Sequence, residues 1–168
     1  MANVLVTGVN GFVGHHVARE LNAQGWSVYG LGRDASVSHE LESFIVEYYE
    51  CDLANKDEAS KLPLEKVSAV INLAGLAEIG ASFDNPDLYM QVNTDVLRSV
   101  CDLVISKNIQ EMRVLAISSG AVYDNNQAMP LTEESAVSDK SSPYAASKIA
   151  MEELAATYRK RGLDCIVA

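Results

Sequence analysis

Thr7-Gly8-Val9-Asn10-Gly11-Phe12-Val13-Gly14 is the stretch whose reading decides the fold. It follows the apolar run Val4-Leu5-Val6 and opens a segment with helical periodicity. In that setting each glycine has a physical reason. Gly8 permits a tight turn, Gly11 lets the backbone approach a diphosphate, and Gly14 lets the helix pack close to the strand. The first N–H groups of the helix lack intrahelical partners and face the anion. The competing reading is an ordinary glycine turn; the strand–turn–helix setting favours binding.

Outward from this turn, apolar runs alternate with helical patterns. Strands are expected at 4–7, 27–31, 46–51, 69–73, 113–118 and 163–167, as nearly continuous apolar runs buried on both faces. A helix over 12–24 carries Val13, Val17 and Leu21 on one stripe, and a short one is expected over 55–61. A long helix over 86–107 starts at Pro86, with Asp84 or Asn85 as cap, and lines up Leu88, Val92, Val96, Val100 and Val104. The last, over 143–161, opens after Ser142, stops at Gly162, and carries Arg159, Lys160 and Arg161 at its negative end. Between the fifth strand and this helix lies a long polar loop, 120–142, of the kind that often carries function. The pattern implies an α/β protein: a Rossmann-like, doubly wound parallel sheet in three α/β/α layers, one domain over 1–168.

Composition narrows the partners. Of 168 residues, 48% are hydrophobic, enough for one sizeable core. Thirteen basic residues against 23 acidic ones give a net charge of −10, which argues against nucleic acid as a partner. No apolar run is long enough to cross a bilayer, and the start Met1-Ala2-Asn3-Val4 lacks a basic, cleavable leader. Cys51, Cys101 and Cys165 are odd in number, far apart in sequence, and without metal-ligand spacing; reduced buried thiols in a cytoplasmic protein are expected. His15, His16 and His39 have no metal spacing either, and no metal site is expected.

Dinucleotide enzymes place the ribose-reading residue about 20 residues past the turn, after the second strand. Here the segment is Gly30-Leu31-Gly32-Arg33-Asp34. Gly32 stands where an acid would bind a 2′-hydroxyl, and Arg33 follows. A guanidinium grips a 2′-phosphate in bidentate fashion, so NADP is favoured, with NAD as the alternative. The other reading of Arg33 is a solvated surface arginine beside Asp34.

Tyr144-Ala145-Ala146-Ser147-Lys148 places a phenol and an ammonium one turn apart on one helix face. An ammonium beside a phenol favours the phenolate, which makes Tyr144 a candidate general acid or base. A surface helix pair is the plainer reading. Tyr123 and Tyr158 read as packing residues.

The G-x-x-G-x-x-G spacing with Thr7 in front, together with Tyr144-x-x-x-Lys148, resembles the extended short-chain dehydrogenase/reductase family of nucleotide-sugar enzymes, across nearly the whole chain. The resemblance implies dinucleotide contacts from Gly8, Asn10, Gly11, Phe12, Val13 and Gly14, and from Asp52 and Leu53 at the adenine. It implies further contacts from Leu73, Ala74 and Gly75 near the nicotinamide ribose, and from Tyr144 and Lys148. For Asp52 a turn or cap role is the alternative, and for Ala74 and Gly75 close backbone packing. Ser119, in Ser118-Ser119-Gly120-Ala121-Val122-Tyr123, matches the residue that bonds the reacting oxygen, with Ser118 as a strand-end cap. Asn93 matches a helix asparagine that supports the lysine through a water; a solvent-facing polar residue is the alternative.

The resemblance also implies a C-terminal substrate domain, which this sequence lacks, so little turnover is expected from the chain alone. Gly120 and Ala121 stand where dehydratases carry an acid, which leaves carbonyl reduction or epimerisation. Ala81-Ser82-Phe83-Asp84-Asn85-Pro86 resembles GDP-sugar enzymes, and with Arg33 it favours reduction of a keto-sugar nucleotide by NADPH, ahead of a 4-epimerase. A homodimer through the helices at 86–107 and 143–161 is expected, with Val100, Met151 and Leu154 as outward contacts. Two other classes compete with an enzyme: a non-catalytic dinucleotide sensor and a mainly structural dimer. Ser119, Tyr144 and Lys148 together favour the enzyme.

Overall fold

The computed structural model describes residues 2–109, 111–124 and 126–168. Met1 of the quoted N-terminus and Asn125 of the polar loop lie outside them. Among the described residues six strands form one sheet: β1 (Asn3–Thr7), β2 (Ser27–Gly32), β3 (Ile45–Glu50), β4 (Ala69–Asn72), β5 (Arg113–Ala116) and β6 (Asp164–Val167). The order is β3-β2-β1-β4-β5-β6 and every pairing is parallel. The winding reverses between β1 and β4, the place where open α/β sheets bind ligands. The Rossmann-like fold is the one expected, with strand ends within two residues.

Among the described residues five α-helices complete it: α1 (Phe12–Ala23), α2 (Lys56–Ala59), α3 (Ile79–Asp84), α4 (Pro86–Ser106) and α5 (Pro143–Lys160). Alternation along β1 builds the layers. Val4 and Val6 join Val9, Ala18, Val28 and Leu41 under α1. Leu5 points the other way, into the larger core with Val70, Val114, Leu97 and Val100 under α4 and α5. Each fully buried side chain of this size stabilises by about 1.5–3 kcal/mol. Among the described residues no helix is long and apolar enough to cross a membrane.

Several expectations need correction. Of the expected stripe, Val13 is 52% exposed, whereas Val17 and Leu21 are partly buried against the core beside the fully buried Gly14 and Ala18. Gly14 has no room for a side chain because the helix start lies on the backbone of Gly8 and Val9. Leu88 is exposed and Tyr89 turns inward, edge-on to Tyr144 with ring centroids 6.4 Å apart. Asn85 holds the cap position of α4 without a side-chain hydrogen bond, whereas Ser142 does cap α5, accepting from Ala145 N at 3.0 Å. Gly162, at φ +91, follows the cap residue Arg161. Val100 and Met151 are core residues and Leu154 packs against them, so Val100 and Met151 are not available to an outer interface. Strand β3 is an edge and is not buried on both faces: Val46, Glu47 and Glu50 are exposed and Ile45, Tyr48 and Tyr49 are only partly buried.

Helix α3 was not expected. The 120–142 loop folds back on itself through a 3-10 turn at Gly120–Val122 and an antiparallel bridge between Tyr123 and Val137. All three cysteines are free and buried. Although distant in sequence, Cys101 of α4 and Cys165 of β6 share one core, where the neighbouring thiol and burial push the Cys101 thiol up. Tyr158 is buried, with its hydroxyl donating to Asp102 at 2.6 Å.

Candidate functional site: a dinucleotide groove at the switch point

The turn between β1 and α1 is built as its sequence demands. Gly8 sits at φ +63, a conformation that side chains disfavour, and a Cβ there would lie 3.0 Å from Ala74 N. At Gly14 a Cβ would fall 2.4 Å from Gly8 O and 2.6 Å from Val9 O, so the helix start rests directly on the turn. Gly11 N donates to Gly8 O at 2.9 Å. No side chain caps the start of α1, which leaves its first N–H groups for a ligand. Phe12 and Val13 contribute only at the backbone level here. Their side chains are exposed, and Phe12 stacks edge-on with His16 at 5.0 Å.

A groove of about 360 Å³ runs past this turn along the carboxyl ends of the strands. Gly8, Asn10 and Gly11 line it from the turn, and Gly32, Arg33 and Asp34 from the end of β2. Asp52 and Leu53 follow β3, and Leu73, Ala74 and Gly75 follow β4. Sequence reading missed Leu31, Cys51, Ala54, Leu76, Val92 and Val96, which supply much of its apolar wall. Their signal is only spatial: they lie beside expected positions or on the α4 face turned to the sheet.

Arg33 is exposed and, among the described residues, makes no hydrogen bond or ion pair. The Asn10 side chain is engaged with the protein: it donates to Asp34 Oδ2 at 2.7 Å and Ser36 O at 3.0 Å, and accepts from Ser38 N at 3.0 Å. His15 bridges Gly11 O and Ser38 Oγ and has no shared site with His16. Asp52 takes the turn role, its alternative reading, at the groove wall. It lines the groove, and its Oδ1 accepts from Ala54 N at 2.9 Å. Burial, then the charges of Glu58 and Asp52, push the Cys51 thiol up to about 11.

A dinucleotide fits these residues: a turn without side chains, an uncapped helix start, and an apolar slot beside a free guanidinium. Among the described residues no cluster could hold a metal ion.

The other candidates gather where β5 ends against the first turns of α5. Lys148 Nζ donates to Ile117 O at 2.9 Å and stands 6.0 Å from the Tyr144 ring centre. Burial lowers its pKa, and Glu152 opposes that shift. Tyr144 is buried, yet among the described residues its hydroxyl carries no hydrogen bond. Ser119 Oγ accepts from Ala121 N at 3.2 Å, while Ser118 Oγ donates to Glu152 and ties the strand end to α5.

Asn93 is 2% exposed, which excludes the solvent-facing reading. Its amide accepts from Leu76 N at 2.8 Å and donates to Leu76 O at 3.1 Å and Ser147 Oγ at 2.9 Å. It therefore clamps the strand-end loop to α5 directly, one residue from Lys148. Ser147 was not foreseen; it passes the link on to Tyr144 O at 2.7 Å.

The model of the NAD dependent epimerase/dehydratase family matches residues 4–168. The chain belongs to that family. Among the relatives of this epimerase/dehydratase domain, UDP-glucuronate 4-epimerase 1 of Arabidopsis thaliana is 32% identical over 93% of the chain and 38% of its own length. The UDP-glucose 4-epimerase of Pisum sativum is 31% identical over 94% of the chain and 47% of its own length. The crystal structure of the Brucella ovis UDP-glucose 4-epimerase in complex with NAD superposes with a TM-score of 0.85 at 27% identity, covering 99% of this chain and 51% of that one. The epimerase/dehydratase domain thus spans about half, or less, of the length of the curated relatives it matches.

Proposed function

We propose that this chain is the dinucleotide-binding part of an enzyme that moves hydride at a sugar carbon of a nucleotide sugar. The observation that carries it is the meeting of Tyr144, Lys148 and the β5 end, tied through Ser147 and Asn93 to Leu76 in the wall of a groove with an uncapped helix start. When bound, the nicotinamide ring would supply a hydride acceptor or donor. Gly8, Gly11 and the first N–H groups of α1 would hold the diphosphate. Lys148, held by Ile117 O, would steady the nicotinamide ribose. The Tyr144 hydroxyl would give or take the proton of the sugar oxygen as hydride leaves or arrives, with Ser119 bonding that oxygen.

Epimerisation at carbon 4 fits the named relatives better than net reduction does. Reduction of a keto-sugar nucleotide remains the second reading, favoured by Arg33. For the cofactor we infer NADP. The position after β2 offers no acid, and the Arg33 guanidinium faces the groove without a protein partner. NAD, which the Brucella ovis relative binds, is the alternative.

Calorimetric titration of this chain with NADP+ and NAD+ tests the binding half. Expected is saturable binding of both, tighter for NADP+; no heat with either would overturn it. Assay of the longer protein, where the reading frame continues past Ala168, tests the chemistry. A UDP- or GDP-sugar should exchange its carbon-4 configuration, or consume NADPH. Inertness toward every nucleotide sugar would overturn the reading.

A further inference from the structure

Tyr48 of β3 lies lengthwise across β2. A Cβ on Gly30 would meet its Cδ2 at 3.3 Å, and a Cβ on Gly32 would meet its hydroxyl oxygen at 2.8 Å. The register places Gly30 beside Tyr48 and Gly32 beside Glu50, so the ring runs from one glycine to the next along the same face. Its hydroxyl donates to Asp34 O at 2.8 Å. The Asp34 side chain in turn accepts from Asn10 of the phosphate turn. Burial raises the pKa of Tyr48, followed by the charges of Asp34 and Glu50, so the group stays a neutral donor. Gly32 itself lines the groove. Any side chain there, above all an aspartate reaching for a ribose hydroxyl, needs the space that the Tyr48 hydroxyl fills.

We propose that Tyr48 is a specificity-determining residue: its hydroxyl closes position 32 to an acid and leaves Arg33 as the residue that reads the ribose. The cofactor half of this inference rests on the NADP reading given above; the steric half stands apart from it. The motif Gly30-x-Gly32 is, on this account, a bed for a tyrosine ring rather than a feature of the ligand site alone.

The test is a pair of double-mutant cycles on this chain. In the first, Gly32→Ala is made with Tyr48 present and with Tyr48→Phe, and Tm is measured. The nearest ring atoms left in the phenylalanine would be 3.7 Å from the new Cβ, an ordinary contact. Expected is a fall of several degrees with Tyr48 and almost none in the Tyr48→Phe background. An equal fall in both backgrounds overturns the steric claim. In the second, Gly32→Asp is made in the same two backgrounds and Kd is measured for NADP+ and NAD+. Expected is a shift toward NAD+ of about tenfold or more, the weight of a charge-assisted hydrogen bond, only with Tyr48→Phe. An equal shift with Tyr48 in place overturns the gating claim. A wild-type chain that prefers NAD+ overturns the NADP reading and the cofactor half with it, while the Tm cycle still decides whether Tyr48 holds position 32.

Discussion

The Thr7 hydroxyl donates to Asn72 Oδ1 at 2.8 Å and accepts the N–H groups of Leu73 and Ala74 at 3.1 and 3.0 Å. Both side chains are buried. One hydroxyl thus joins the ends of β1 and β4 at the switch point and fixes the strand-end backbone against which Gly8 turns.

Thr7→Val keeps the shape and removes three hydrogen bonds. Leaving buried polar groups unpaired costs about 1–3 kcal/mol each, and partial relaxation should hold the total near ~2–4 kcal/mol. Urea unfolding should show a lower midpoint, while Thr7→Ser should stay close to wild type.

Gly14→Ala sets a methyl group against backbone oxygens that cannot swing aside. Overpacking of this kind costs about 1–3 kcal/mol. Because the strain falls on Gly8 and Val9, dinucleotide affinity should fall along with Tm. Unchanged affinity in a destabilised variant would separate the turn from the site.

Arg33→Ala should weaken NADP+ binding by about 10- to 100-fold, the range for a charge-assisted hydrogen bond. NAD+ affinity should hardly move. Equal changes for the two cofactors would return Arg33 to the role of a surface arginine.

Cys51 should be inert at neutral pH. Its folded value of about 11 lies above the ordinary thiol value, near 8.5 in unfolded chains. The folded state therefore binds the proton more tightly. That contribution is fully present below pH ~8.5 and is lost as pH climbs through about 11. Stability should decline across that window, less steeply in Cys51→Ala. Iodoacetamide at pH 8 should leave Cys51 unlabelled in the native chain, with mass spectrometry as the readout.

Tyr144→Phe keeps the edge-on packing with Tyr89 and removes only the hydroxyl. In the longer protein turnover should drop by about 10²–10⁴-fold, the usual weight of a general acid or base. Dinucleotide Kd should stay within a factor of a few. A variant that still turns over at wild-type rate would remove Tyr144 from the chemistry.

Much of this was legible in one dimension. The three glycines, the alternation of strands and helices, and the Tyr144–Lys148 spacing are local patterns, and local patterns survive into the fold. What escaped depends on how elements approach one another. Val13 looked like a core residue, but α1 turns Gly14 and Ala18 fully inward with Val17 and Leu21 beside them, which leaves Val13 outside. Asn93 looked no more buried than exposed, because its partners, Leu76 and Ser147, lie in other segments. Val100 and Met151 could be placed outside the core only while the packing of α4 on α5 was unknown. The Tyr48 ring across Gly30 and Gly32 is a matter of register, which no periodicity within β2 contains.

Asn10 uses both ends of its amide on the segment after β2, holding Asp34, Ser36 and Ser38 to the phosphate turn. Two rims of the groove are therefore rigidly joined before any ligand arrives. The conformational entropy of ordering that rim is lost during folding rather than on association, so less of the binding energy is consumed in arranging the protein. Loosening this one side chain should slow no chemical step, yet it would make every encounter with the nucleotide begin from a less prepared surface.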